Sequence, residues 1–123
     1  MKIKPVYAAI LLLSSLIASS NAMGAGALAI DENQGDQWGF AYDQPSISAA
    51  SDYALEECGA GCEVVKTFSS GCAAYAADQA SGSTAYGWAT ADDGATAQSE
   101  ALSNCRSFGG NDCIVRSWGC NSD

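Results

Sequence analysis

The chain contains no histidine and only five lysines and arginines among its 123 residues. Without histidine, Ser–His–Asp and Cys–His catalytic sets are excluded. Five cations stand against 14 carboxylates, a formal charge of −9. A surface of that sign repels nucleic acid and anionic lipid, and it attracts a basic partner. Plain solubility is the simpler account of it. A membrane-length apolar run is also missing. The longest, Ala8 to Ala18, is broken by Ser14 and Ser15 and falls short of the roughly 20 residues that span a bilayer. Lys2 and Lys4 precede it, and Ser20-Asn21-Ala22 places small residues before a cut. Residues 1–22 therefore read as a signal peptide, and residues 23–123 as one domain, periplasmic or secreted, with no membrane attachment after cleavage. Removing the signal leaves Lys66, Arg106 and Arg116 as the cations.

What is present in quantity is cysteine: Cys58, Cys62, Cys72, Cys105, Cys113 and Cys120. In an oxidising compartment an even count in a chain this short reads as a disulfide framework. Zinc competes poorly, because Cys58-x3-Cys62 has a tolerable ligand spacing and Cys105-x7-Cys113 does not. No metal and no cofactor is expected. The cysteines also sit in a repeat. Ala50…Ala54-Leu55…Cys58 recurs as Ala97…Ala101-Leu102…Cys105, and Val64-Val65-Lys66-Thr67-Phe68 recurs as Ile114-Val115-Arg116-Ser117-Trp118. Six cysteines admit many pairings. The repeat suggests Cys58–Cys62 and Cys105–Cys113 as equivalent local clasps, with Cys72–Cys120 joining the halves.

The pattern of apolar residues and turn formers predicts an α+β fold. Each half, about 25–71 and 72–123, reads as strand–strand–helix–strand, and the two together as a pseudo-two-fold, disulfide-stabilised single domain. In the first half the strands are Ala27–Asp31, Trp38–Tyr42 and Val64–Ser69, with a turn over Glu32–Asp36. The helix opens at Ser46 or Ser48 and closes at Gly59, and Ala50, Ala54 and Cys58 together with Tyr53 and Leu55 beside them give its buried stripe. In the second half the strands are Cys72–Ala76, Thr84–Ala89 and Cys113–Trp118, with a turn at Ser81–Ser83. The helix is capped by Asp92 or Asp93, buries Ala97, Ala101, Leu102, Cys105 and Phe108, and ends at Gly109-Gly110. Alanine stripes let helices lie close to a sheet but bury little area, so the disulfides are expected to supply what the core does not.

Candidate chemistry is sparse. A serine–lysine dyad would need Lys66 with Ser69, and nothing local buries that lysine. Carboxylate pairs are inevitable among fourteen and discriminate nothing; Glu56, Glu57 and Glu63 read as a solvated face. Asp31-Glu32…Asp36 and Asp92-Asp93 do not match a calcium loop and are better explained by turns and caps. Gly109-Gly110 lacks the flanking pattern of a phosphate loop. The sharpest feature is a repeated cation. Lys66 and Arg116 occupy matching positions, each two residues before an aromatic, Phe68 or Trp118, so alternation places cation and ring on one strand face. Such a patch grips an acidic or aromatic ligand; alternatively the stems cover apolar surface and the heads pair locally. Trp38-Gly39-Phe40 and Tyr86-Gly87-Trp88 read as core at a close backbone approach, with an exposed aromatic cluster for carbohydrate as the alternative.

Several ordered motifs resemble one family. They are Gly59-Ala60-Gly61-Cys62-Glu63-Val64-Val65, Gly71-Cys72-Ala73-Ala74-Tyr75-Ala76, Tyr86-Gly87-Trp88, Ala101-Leu102-x-x-Cys105 and the closing Cys113…Val115-Arg116…Trp118-Gly119-Cys120. Together they resemble the "domain of unknown function 4189" family of small exported bacterial proteins, over about Ala25 to Asn121. The resemblance implies export and a cysteine-stabilised domain. It carries no established enzyme activity and supplies no catalytic residues. The expected function is an exported, non-catalytic binding or interaction module for an unknown protein or small ligand. The alternatives are an inhibitor of a basic secreted enzyme of lysozyme or protease type and a carboxylate-dependent hydrolase.

Overall fold

A computed structural model describes residues 24–31 and 36–122. The expected signal segment and most of the expected Glu32–Asp36 turn lie outside the described residues. The elements are β1 (Ala25–Asp31), β2 (Trp38–Gln44), α1 (Ile47–Cys58), β3 (Cys62–Phe68), β4 (Cys72–Asp78), β5 (Tyr86–Ala91), α2 (Gly94–Ser107) and β6 (Cys113–Cys120). They form two three-stranded antiparallel sheets, ordered β2-β1-β3 and β5-β4-β6. In each sheet the central strand is the first of its half.

The two central strands decide the layering. Every residue from Ala25 to Ile30 and from Cys72 to Ala77 is buried. A strand covered on one face alternates; a strand covered on both reads as a continuous apolar run. One face of β1 carries Ala25, Ala27 and Ala29, packed with Ala50, Ala54 and Cys58 of α1. One face of β4 carries Cys72, Ala74 and Ala76, packed with Ala97, Ala101 and Cys105 of α2. The opposite faces meet each other: Leu28 and Ile30 of β1 and Ala73, Tyr75 and Ala77 of β4 share a cluster with Phe40 and Phe68. The order of layers is helix, sheet, sheet, helix. The expectation of helices packed on sheet holds, and the sheet-on-sheet layer is an addition to it.

The inter-sheet layer is aromatic where the helix–sheet layers are alanine-rich. Tyr75 is fully buried at its centre, with the Trp38 ring at 5.7 Å and the Tyr86 ring at 6.2 Å. Phe40 and Phe68 stack at 6.0 Å. The alanine layers bring helix backbone onto strand backbone. A Cβ on Gly39 would fall 1.9 Å from Ala54 O, and one on Gly87 would fall 2.3 Å from Cys105 N. Glycine is required at both places by close approach.

Helix ends follow the expected chemistry. Ser46 Oγ accepts from Ala49 N at 3.0 Å, and Asp93 Oδ1 accepts from Thr96 N at 2.7 Å. Gly59 closes α1 with φ of 100°. Two stripe residues are misplaced by the sequence reading. Tyr53 is 47 % exposed and Phe108 60 % exposed. A helix on a sheet buries a narrow stripe, here Ala50, Ala54 and Cys58, and Tyr53 falls beside it. Phe108 lies past the last residue of α2, where the helical period no longer applies.

The disulfides are Cys58–Cys62, Cys105–Cys113 and Cys72–Cys120, the pairs the repeat suggests. The first two tie the end of a helix to the start of the following strand. Cys72–Cys120 does not join the halves. Cys72 and Cys120 are direct neighbours on β4 and β6 of the second sheet. The halves are held instead by the inter-sheet cluster and by the C-terminal residues. Asn121 donates to Phe68 O at 3.1 Å and accepts from Asp43 N at 2.8 Å, while Ser122 Oγ donates to Asp43 Oδ2 at 3.0 Å.

Candidate functional site

The four residues expected to form a cationic, aromatic-edged patch are not brought together as one. Lys66 and Phe68 are on β3 of the first sheet, and Arg116 and Trp118 on β6 of the second. Nor are the two cations at matching positions. Leu28 pairs with Lys66 and Ala29 with Val64, so Val65 is the extra residue of a β-bulge. Tyr75 pairs with Ser117 and Ala76 with Val115, so Arg116 is the extra residue of the other. The counterpart of Arg116 by register is therefore Val65, and that of Lys66 is Ser117. Matching the strands by their aromatic ends slides them one residue out of register. Counting from Cys62 and Cys113 does not.

The bulge also breaks the alternation that would put Arg116 and Trp118 on one face. Arg116 Cζ lies 5.6 Å from the Trp38 ring centroid, on the inter-sheet side. Trp118 pairs with Ala74, whose side chain meets α2, and its indole covers Gly94 at the start of that helix. Phe68 is buried between the sheets, and Lys66 is exposed. Arg116 reaches a polar recess of about 430 Å³ with Asp36, Asp78 and the 79–84 loop. Asp78 is fully engaged there. It accepts from Ala80 N, Ser83 Oγ, Asn111 N and Asp112 N. The Ser83 hydroxyl, then the Ala80 amide, hold its carboxyl below the usual aspartate range. Asp93 is likewise lowered, by the Thr96 amide and hydroxyl it caps. Both carboxylates are committed to shaping backbone.

A second recess, of about 410 Å³, opens at the β5 edge and is aromatic. Tyr86, Gly87 and Trp88 of β5 line it with Asn104 of α2 and Phe108 beyond the helix end. Tyr86 and Phe108 meet edge to face at 5.4 Å. Asn104 Nδ2 donates to Trp88 O at 2.9 Å, which satisfies a carbonyl on the strand edge and fixes the amide at the rim. The first half treats its matching edge differently, because Glu57 Oε1 accepts from Phe40 N at 3.0 Å.

Phe108 is exposed, but its backbone is tied into the end of α2. Its N–H bonds to Asn104 O and Cys105 O, Gly109 follows with φ of 107°, and Gly110 N returns to Cys105 O. The Cys105–Cys113 bridge closes the same loop. The two clasps differ in length, with a sequence separation of 8 against 4 for Cys58–Cys62. The longer one carries α2 past Cys105 and delivers Phe108 to Tyr86. Where α1 ends, Gly59 follows Cys58 directly. Reading Phe108 as core concealed this recess from the sequence. The unequal clasp lengths were the available signal.

Among the described residues these features define a small mixed α/β domain with two helices, two antiparallel sheets and three disulfides. The model of the domain of unknown function DUF4189 matches residues 25–120. The chain belongs to that family. No curated protein and no solved structure matches it. Among the described residues, no helix is long and apolar enough to cross a membrane.

Proposed function

We propose that this protein is an exported, non-catalytic binding module that works through the aromatic recess of Tyr86, Trp88 and Phe108. The observation that carries the reading is Phe108. A large apolar ring, 60 % exposed, is carried on a backbone tied between a helix end and a disulfide loop, meets Tyr86 edge to face, and contributes little burial to the fold. Fixing a contact ring beforehand lowers the ordering cost of binding. The three bridges fit an oxidising compartment, periplasmic or extracellular. The engagement of Asp78 and Asp93 in backbone hydrogen bonds supports a non-catalytic role for these two acids. The two halves also read as copies of one unit, on the grounds of a shared strand–strand–helix–strand order, a shared sheet order and bulges at the same central-strand position.

The test is retention of the oxidised protein by isolated envelope and culture-fluid macromolecules. Phe108→Ala should lose retention without a lower Tm, and Lys66→Gln should keep it. Equal retention of wild type and Phe108→Ala overturns the recess as the site. A second reading, inhibition of a basic secreted enzyme, is favoured by the charge of −9. It requires a salt-sensitive fall in lysozyme or protease rate on adding the protein.

A further inference from the structure

The geometry points to a saccharide as the ligand of the aromatic recess, bound by stacking one pyranose face on the Trp88 and Phe108 rings with its hydroxyls toward Asn104. This rests on the reading of the recess as the binding site and names the chemistry that fits it.

Three properties of the recess select among ligands. The first is shape. The recess is a shallow edge-strand hollow of about 410 Å³ rather than a closed cavity. An oily ligand placed there would keep much of its surface in water and gain little. A pyranose presents a flat C–H face for an aromatic ring and hydroxyls around its rim, so half in water is its favoured state.

The second is the relation of the rings. Tyr86 and Phe108 touch edge to face at 5.4 Å, which leaves no gap between them for a cation. An ammonium group binds best enclosed by several ring faces, as in aromatic cages. Here Phe108, 60 % exposed, lines an open recess together with Trp88, whose side chain is half-buried against the inter-sheet cluster.

The third is the polar complement. Asn104 spends one Nδ2 hydrogen on Trp88 O. Its other hydrogen and its Oδ1 remain to donate to and accept from a sugar hydroxyl. That donor–acceptor pair suits a hydroxyl, which does both. The excess of 14 carboxylates over the three cations left after cleavage disfavours anionic glycans and leaves neutral and amino sugars. The β-linked, all-equatorial pyranoses expose the most extended C–H faces, so cellotetraose and chitotetraose are the probes of choice.

The experiment is a titration of the oxidised mature protein with each sugar, followed by NMR of the indole N–H and side-chain amide signals. The three tryptophans lie in different environments, so the response is local. The Trp88 indole and the Asn104 amide should shift and saturate by about 10 mM sugar, while Trp118, on the far side over Gly94, stays in place. Phe108→Ala should weaken binding at least about tenfold, and Asn104→Ala about threefold, with the fold intact by the remaining signals. Absence of a saturable shift at Trp88 with either sugar overturns the proposal. So does a shift that survives Phe108→Ala, or a stronger response to tetramethylammonium than to sugar. If the sugars fail while envelope retention still depends on Phe108, the ligand class falls and the recess stands as the site. If retention also ignores Phe108, both fall.

Discussion

Asn121 and Asp43, 78 positions apart, are joined by a 2.8 Å hydrogen bond from the Asp43 backbone N–H to the Asn121 side-chain oxygen. The other end of the same amide donates to Phe68 O. One side chain near the C-terminus thus satisfies backbone groups at the ends of β2 and β3. Asp43 itself is turned to φ of 57°, a conformation uncommon outside glycine. Its carboxylate accepts from Ser122 N and Ser122 Oγ.

Asn121→Ala should therefore cost about 1–3 kcal/mol, the range for leaving buried backbone groups without partners. The loss should appear in the urea midpoint with an unchanged m-value. Ser122→Ala, at an exposed position, should stay within about 0.5 kcal/mol. Equal effects of the two would show that the C-terminal residues do not latch the halves through the buried amide.

The three disulfides should not contribute equally. Cys72–Cys120 has a sequence separation of 48, against 4 and 8 for the clasps. In the chain-entropy account its removal costs about 4 kcal/mol, and removal of either clasp about 2–3 kcal/mol. Paired Cys→Ala variants, unfolded in urea, measure the order directly. Full reduction should abolish the near-ultraviolet dichroism of the inter-sheet aromatics. A reduced protein that kept this signal would mean that the aromatic layer suffices alone.

Much of this architecture was legible in the residues, and the misses share a cause. Ser46, Asp93 and Gly59 announce helix ends by local chemistry, which sequence carries well. The matched alanines announce helix-on-sheet packing because their 3.6-residue period survives in both helices. The sheet-on-sheet layer was written in the unbroken burial of Ala25–Ile30 and Cys72–Ala77, a continuous run instead of an alternation. The site expectation failed at the bulges. The bulge at Arg116 breaks its alternation with Trp118, and nothing at that residue marks it in advance, whereas Lys66 and Phe68 both follow the β3 bulge, and their false match to Arg116 and Trp118 came from aligning the aromatic ends rather than the cysteines. Phe108 failed for a related reason: whether a helix ends one residue sooner or later decides burial, and sequence fixes ends least well.

At low pH, Asp78 and Asp93 should govern the first loss of stability. Both carboxyls titrate below their unfolded value because backbone and hydroxyl donors hold the charged form. A depressed folded pKa contributes stability above the unfolded pKa of about 3.9, and that contribution is lost as pH falls through the folded value. Asp78→Asn and Asp93→Asn should each lower Tm at pH 7, and the gap to wild type should close as the pH falls from the unfolded value through the lower folded one. A gap that stays constant would mean that the carboxylate charge is irrelevant to either loop.

At the alkaline end the controlling group is Tyr75. Burial first, then the nearby Tyr86 phenol and the Asp36 and Asp31 carboxylates, push its hydroxyl well above the usual range, with Arg116 opposing them. A raised folded pKa is stabilising only while the unfolded phenol also keeps its proton. The contribution is complete below about pH 10 and is lost progressively above it, because the unfolded chain ionises first. Stability should hence fall steeply above pH 10, and Tyr75→Phe should flatten that limb even though it costs stability at neutral pH. Ultraviolet titration at 295 nm distinguishes the phenols: the fraction from Tyr75 should appear only as the fold is lost. A Tyr75→Phe protein with the wild-type alkaline slope would show that the buried phenol does not control that limb.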